Sequence, residues 1–329
     1  MLVHTKKAIK AFAKLCISGI ISLALLSLFV LVYEHTGVLV DNPSGATDYK
    51  WAPYQLQTTM TEGFAWLKFD ENGFNNPKNC LDKELDILFM GSSHIEGTHI
   101  AEDESVTAQL RNELPDLSVY NIGISSHTIY KNVNNLKNAV AEYDPSKYVI
   151  IQTSNCDLSD TMIEAVLSGN YSEKPSFFSG PRLYILKYCP AIKSIIKNVQ
   201  YWESIEKNSE DPQAETVTAS SQNIDSFLGK IKKECGNCQP IIVFNPIVSL
   251  AENGTLDISS DGVELFEQTC RQNGILFVDL SEDFRQLYDD SDILPYGFSN
   301  TGVGAGHLNK YGCELMAKRL AEVIKEDQK

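Results

Sequence analysis

Four positions in this chain carry groups that acyl chemistry can use: Ser93 in DILFMGSSHIEG, Gly123 in YNIGIS, Asn155 in QTSNCD and His307 in GAGHLNKYG. Making or cleaving an ester needs a hydroxyl activated by an imidazole, together with N–H donors where negative charge develops on the carbonyl oxygen. Ser93 supplies the hydroxyl and His307 the base, while the Ser93 and Gly123 amides and the Asn155 side chain supply the oxyanion donors. Glycine at 123 lets the backbone approach a ligand with no Cβ in the way. His94 adjoins Ser93, but neighbouring side chains diverge, which makes it a poor base for that serine. Each residue also has an ordinary use: Ser93 or His307 at a helix start, Asn155 in an Asx turn. The chemistry therefore depends on whether the fold brings the four together. Glu96, His99 and His127 are further candidates to line such a cleft.

From Leu85 onward, continuous apolar runs recur at 86–90, 118–124, 148–152, 240–245 and 274–279, with amphipathic segments near 106–114, 130–143, 224–233, 263–272 and 311–324. Continuous rather than alternating hydrophobicity indicates strands buried on both faces, hence a parallel sheet. The alternation with helices predicts an α/β fold, a three-layer, flavodoxin-like, doubly wound sheet of about five strands. In such sheets ligands bind outside the carboxyl ends of the strands. Ser93 follows the first run, Gly123 closes the second, Asn155 follows the third, and His307 precedes the last helix. Between the third and fourth runs, 158–222 is too long for an ordinary crossover and reads as an inserted helical subdomain, YILKYCPAIKSIIKNVQYW, followed by a mobile polar loop over 207–222.

This order of motifs resembles the SGNH, or GDSL, hydrolase superfamily. The first block, Gly-Asp-Ser, is matched by Gly91-Ser92-Ser93, which puts the nucleophile at Ser93 and leaves Ser92 structural. The second-block glycine is matched by Gly123 and the third-block asparagine by Asn155. The last block, Asp-x-x-His, is matched in part: His307 is present, but Gly304 stands at the aspartate position. A backbone carbonyl near 304–306 is the expected substitute for orienting the ring, with Asp279 a less favoured one. The resemblance spans 85–329 and is nearest to membrane-anchored bacterial SGNH proteins of surface-polymer O-acylation, as in teichoic-acid D-alanylation. It implies a serine esterase or O-acyltransferase, acetyl being the expected group, that acts on an acylated or hydroxyl-bearing surface glycopolymer, with a membrane-bound O-acyltransferase as a partner. A catalytically weak binding or scaffolding protein of the same fold, with a degraded triad, is the alternative.

Ahead of this domain, Lys6, Lys7, Lys10 and Lys14 precede an uncharged run over 15–33. Nineteen helical residues reach roughly 28 Å, close to the thickness of a bilayer core. The run is longer than a signal-peptide core and ends without a small-x-small site, so an uncleaved anchor is expected, with 1–14 cytoplasmic and the rest extracytoplasmic. Residues 34–84 read as a stalk or collar with exposed aromatics and the turns Asn72-Gly73 and Asn76-Pro77. All 43 acidic residues and all but four of the 28 basic ones lie beyond the span. No basic stripe exists to displace counterions from phosphate, so nucleic acid is not an expected partner. Cys235-Gly-Asn-Cys238 has no second pair and no neighbouring histidine, so neither metal nor cofactor is expected. A disulfide involving that pair and buried free thiols remain equal alternatives.

Overall fold

The computed structural model describes residues 2–33, 35, 37–60, 62–81, 83–171, 219–251 and 253–329. Helix α1, Leu2–Tyr33, contains the stretch Ile9–Val30, long and apolar enough to cross a membrane. Two antiparallel pairs follow: β1 (Leu39–Asp41) with β2 (Tyr49–Trp51), and β3 (Leu56–Thr59) with β4 (Ala65–Lys68). This region packs as a collar rather than projecting as a stalk. Trp51, Phe69 and Phe74 are buried in the same cluster as Leu88, Tyr120 and Val133, and Trp51 stacks on Phe69 at 5.1 Å. Of the aromatics expected outside, Tyr54, Phe64 and Trp66 are exposed and Trp51 is not.

The main domain then runs β5 (Ile87–Met90), α2 (Ser93–Glu96), α3 (Val106–Glu113), β6 (Val119–Asn121), α4 (Ile129–Tyr143), β7 (Tyr148–Thr153) and α5 (Asp160–Leu167). After residue 218 come α6 (Ser221–Glu234), β8 (Gln239–Phe244), β9 (Val248–Leu250), β10 (Leu256–Ile258), α7 (Val263–Gln272), β11 (Leu276–Asp279), α8 (Ser281–Ser291) and α9 (Lys310–Asp327). Each of the five apolar runs contains a strand of one parallel sheet, ordered β11-β8-β7-β5-β6. Both faces are apolar because alternate residues serve opposite layers. Leu88, Met90, Val149 and Ile151 enter one core, while Ile87, Phe89, Tyr148 and Ile150 enter the other. Helix α8 and the β9/β10 hairpin were not expected. Most of the predicted insertion, including its apolar helix, lies outside the described residues.

This strand order reverses direction at β5, which has β6 on one side and β7 on the other. The crevice between the carboxyl ends of β5 and β7 is therefore the topological switch point. Cys235 and Cys238 are buried free thiols; Cys238 Sγ donates to the Pro145 carbonyl at 2.8 Å, and burial pushes Cys235 up to about 12.

Candidate active site

Ser93 emerges at that switch point because the chain turns sharply from β5 into α2. Gly91 permits the turn: a Cβ there would lie 2.4 Å from Ile95 Cγ1 and 2.9 Å from Gln152 Oε1. Ser92 caps the helix, its Oγ accepting from the His94 N–H, and it ties the turn to β7 because its N–H and Oγ both donate to Gln152 Oε1 at 2.8 Å. Gln152 passes the network on, donating to Ser154 Oγ at 3.1 Å and Asn245 Oδ1 at 2.6 Å, and Asn245 donates to Tyr296 Oη at 2.9 Å. The nucleophile candidate thus stands on a buried, hydrogen-bonded platform, and Gly97 at φ 67 ends the short helix.

His307 reaches Ser93 from the far end of the chain. Asn309 caps α9, its Oδ1 accepting from the Tyr311 and Gly312 amides while its Nδ2 donates to the Leu294 carbonyl at 2.7 Å. The His307 carbonyl accepts from the Gly297 N–H at 3.0 Å. With the backbone fixed on both sides, His307 Nε2 lies 2.8 Å from Ser93 Oγ. His94 is placed otherwise. Its Nδ1 accepts from the Leu308 N–H at 3.3 Å, and burial, reinforced by the nearby His307 and His99, pushes it down to about 3. It is a neutral structural imidazole.

The partner of His307 is a residue the sequence did not point to. Glu62, in the turn between β3 and β4, accepts at Oε1 from His307 Nδ1 at 2.7 Å and from the His307 backbone N–H at 2.8 Å. This corrects the expectation of a backbone carbonyl at 304–306 or of Asp279, whose Oδ1 instead accepts from Ser281 N–H and Oγ at the start of α8. Gly306, at φ 99, makes room, since a Cβ there would lie 2.2 Å from Glu62 Oε1. Burial would raise the Glu62 carboxyl, but the His307 hydrogen bonds and the His307 and His99 charges prevail and hold it at about 2. The absent Asp-x-x-His aspartate is thus replaced by a carboxylate 245 residues earlier in the chain.

His99 completes the cluster. Its ring stacks on His307 with centroids 3.8 Å apart and planes 15° apart, and its Nδ1 is 3.6 Å from Glu62 Oε2. Ligand atoms of Glu62, His99 and His307 lie within 4.8 Å of one another, a spacing a cation can bridge. Both ring nitrogens of His307 are already engaged, however, and near-parallel rings aim their in-plane lone pairs side by side rather than at one point. The geometry fits a hydrogen-bonded Ser93–His307–Glu62 chain better than a metal site.

The two other predicted oxyanion donors are differently engaged. The Gly123 N–H donates to Asn121 Oδ1 at 2.7 Å, and the glycine is needed because a Cβ would lie 2.7 Å from the Glu96 nitrogen. Asn155 is exposed and forms an Asx turn, Oδ1 accepting from the Asp157 N–H and Nδ2 donating to the Asp157 carbonyl at 3.0 Å. The Ser93 N–H has no acceptor among the described residues, as expected in the first turn of a helix. Glu96 is not a cleft residue: it is fully buried, accepting from Trp51 Nε1 at 2.6 Å and from the Ser125 N–H and hydroxyl, and burial raises its carboxyl. His127 is buried edge-on to Tyr49.

No protein-family model and no curated protein matches this chain. Solved structures do. A lipase/acylhydrolase from Enterococcus faecalis is 12% identical at a TM-score of 0.44, covering 74% of this chain and 97% of its own. A member of the lipolytic G-D-S-L family from Veillonella parvula is 14% identical at 0.40, covering 73% and 98%. The C-terminal catalytic domain of a peptidoglycan O-acetyltransferase from Streptococcus pneumoniae is 10% identical at 0.36, covering 74% and 95%. At such identities a likeness concerns the path of the chain, and the chemistry has to come from the residues.

Proposed function

We propose that this protein is a serine esterase or O-acyltransferase, carried by the continuous relay Ser93 Oγ, His307 Nε2, His307 Nδ1 and Glu62 Oε1, with links of 2.8 and 2.7 Å, at the switch point of the sheet. Ser93 Oγ attacks the acyl carbonyl carbon while His307 Nε2 takes its proton. Glu62 fixes the tautomer and stabilises the imidazolium without itself becoming protonated. The Ser93 N–H binds the oxyanion, with Asn155 contributing the Nδ2 hydrogen its turn leaves unused. Gly123 contributes by admitting α2 close to the sheet, and its N–H joins only if Asn121 releases it. As the carbon–oxygen ester bond breaks, the leaving alcohol takes the proton from Nε2. The acyl group, now on Ser93, passes by the reverse steps to water or to a second hydroxyl.

The span in α1 extends the reading to a membrane-anchored enzyme with its domain outside the cell, acting on acetyl or similar small acyl groups of a surface glycopolymer, with a membrane-bound O-acyltransferase as the fitting donor partner. The scaffolding alternative rested on a missing triad acid, and a carboxylate at 2.7 Å from His307 Nδ1 weighs against it. A fluorophosphonate probe tests the catalytic claim. It should label the native full-length chain and leave Ser93→Ala unlabelled; a folded native protein that resists the probe overturns the proposal.

A further inference from the structure

The β3/β4 hairpin that delivers Glu62 has two unlike faces. Ala65 and Leu67 point inward and are buried, whereas Trp66 and Lys68 point outward, as alternation along a strand requires. Phe64 continues this outer row at 61% exposure, beside Trp66 at 57%. Across the pair, Lys68 lies opposite Leu56, which is exposed, and its ammonium sits over the ring of exposed Tyr54 at 5.9 Å. An outward stripe of two large aromatics, a tyrosine, a leucine and a lysine is unusual on a domain so rich in acids. It has the composition of a membrane–water interface, where amphipathic rings and lysine side chains settle.

The occupant of this face follows from where the hairpin is tethered. The apolar span ends at Val30 and its helix at Tyr33, and His35 pairs with Thr58 of β3 through reciprocal backbone hydrogen bonds of 3.0 and 2.8 Å. Three helical residues, and two more that reach at most about 3.6 Å each, cover no more than about 12 Å. Thr58 is the cross-strand partner of Trp66. His35, and with it β3, is therefore tethered within about 12 Å of the end of the span, roughly two headgroup layers of about 5–8 Å each, which keeps the stripe beside the bilayer surface.

We propose that the face formed by Tyr54, Leu56, Phe64, Trp66 and Lys68 docks on the extracytoplasmic surface of the bilayer in which α1 is anchored. This rests on the anchor reading but not on catalysis. The bilayer then holds the hairpin that carries Glu62, and the site works beside that surface, on acyl groups or hydroxyls borne by membrane-attached molecules.

Tryptophan quenching in the full-length chain tests it. The protein is placed in nanodiscs of phosphatidylcholine and phosphatidylglycerol, with or without bromine near the headgroup end of the acyl chains. The chain has three tryptophans, so docking of Trp66 should remove up to about a third of the emission in brominated discs, and Trp66→Phe should abolish that loss while keeping fluorophosphonate labelling of Ser93. Copurification with the discs but equal emission in both lipids overturns the docking alone, as does quenching that persists in Trp66→Phe. Failure to copurify overturns the anchor as well. Labelling of Ser93 in the same samples reports on the catalytic reading separately.

Discussion

Glu62 receives two hydrogen bonds from one residue, the ring and the backbone N–H of His307, so it fixes both the position of the imidazole and its tautomer. Glu62→Gln keeps the shape but removes the charge that stabilises imidazolium, and it should lower kcat by about 10³- to 10⁴-fold with KM little changed, measured on a chromogenic acetyl ester. Its stability signature has a definite sign. A carboxylate held at about 2 instead of 4.5 stabilises the folded state fully above about pH 4.5, and the contribution is lost as pH falls through about 2. Allowing for its partial exposure, Glu62→Gln should be about 1–2 kcal/mol less stable at pH 7 in urea unfolding, with the two proteins converging near pH 2. A constant difference across that range would refute the linkage. Ser93 and His307 were legible because each sits in a short motif beside a predicted element. Glu62 had only Gly63 to mark it as a turn residue, and nothing local records which distant histidine a glutamate meets.

At the scale of elements, the position of Glu62 depends on how closely its turn approaches the loop after α2. Gly63 has φ 72, and a Cβ on it would lie 2.0 Å from the His99 carbonyl oxygen, while its N–H donates to Asn300 Oδ1 at 2.9 Å. Gly63→Ala should therefore push the turn away and draw Glu62 off His307, slowing fluorophosphonate labelling at least tenfold while circular dichroism still reports a folded α/β domain. Labelling at the native rate would mean that the turn does not set the relay. The long elements could be read because five buried strands and their helices impose continuous runs and a period near 3.6. The hairpins of the collar could not, since strands of three or four residues are too short to show alternation and are specified by pairing across the sheet. Helix α8 escaped for a related reason: its apolar stripe is only Phe284, Leu287 and Tyr288, of which Phe284 alone is buried, too short a pattern to announce a helix.

On the scale of the whole molecule, the boundary drawn at residue 85 from the onset of βα alternation misplaces a working part of the domain. Residues before it furnish Trp51, Phe69 and Phe74 to one core, the buried Asp70 that accepts from Tyr120 Oη at 2.7 Å, and the acid of the relay. A segment bound this way should open only when the core does. Hydrogen exchange of the full-length chain in detergent distinguishes the two cases. Peptides covering 65–75, where Asp70 N–H donates to the Phe74 carbonyl at 2.9 Å, should exchange as slowly as peptides from β5 and β7. A tethered stalk would exchange within seconds to minutes, and that result would separate the collar from the core. Slow exchange would instead mean that the span, the collar and the relay form one mechanical path: α1 fixes His35, His35 fixes β3, and the turn after β3 presents Glu62 to a histidine at the opposite end of the chain.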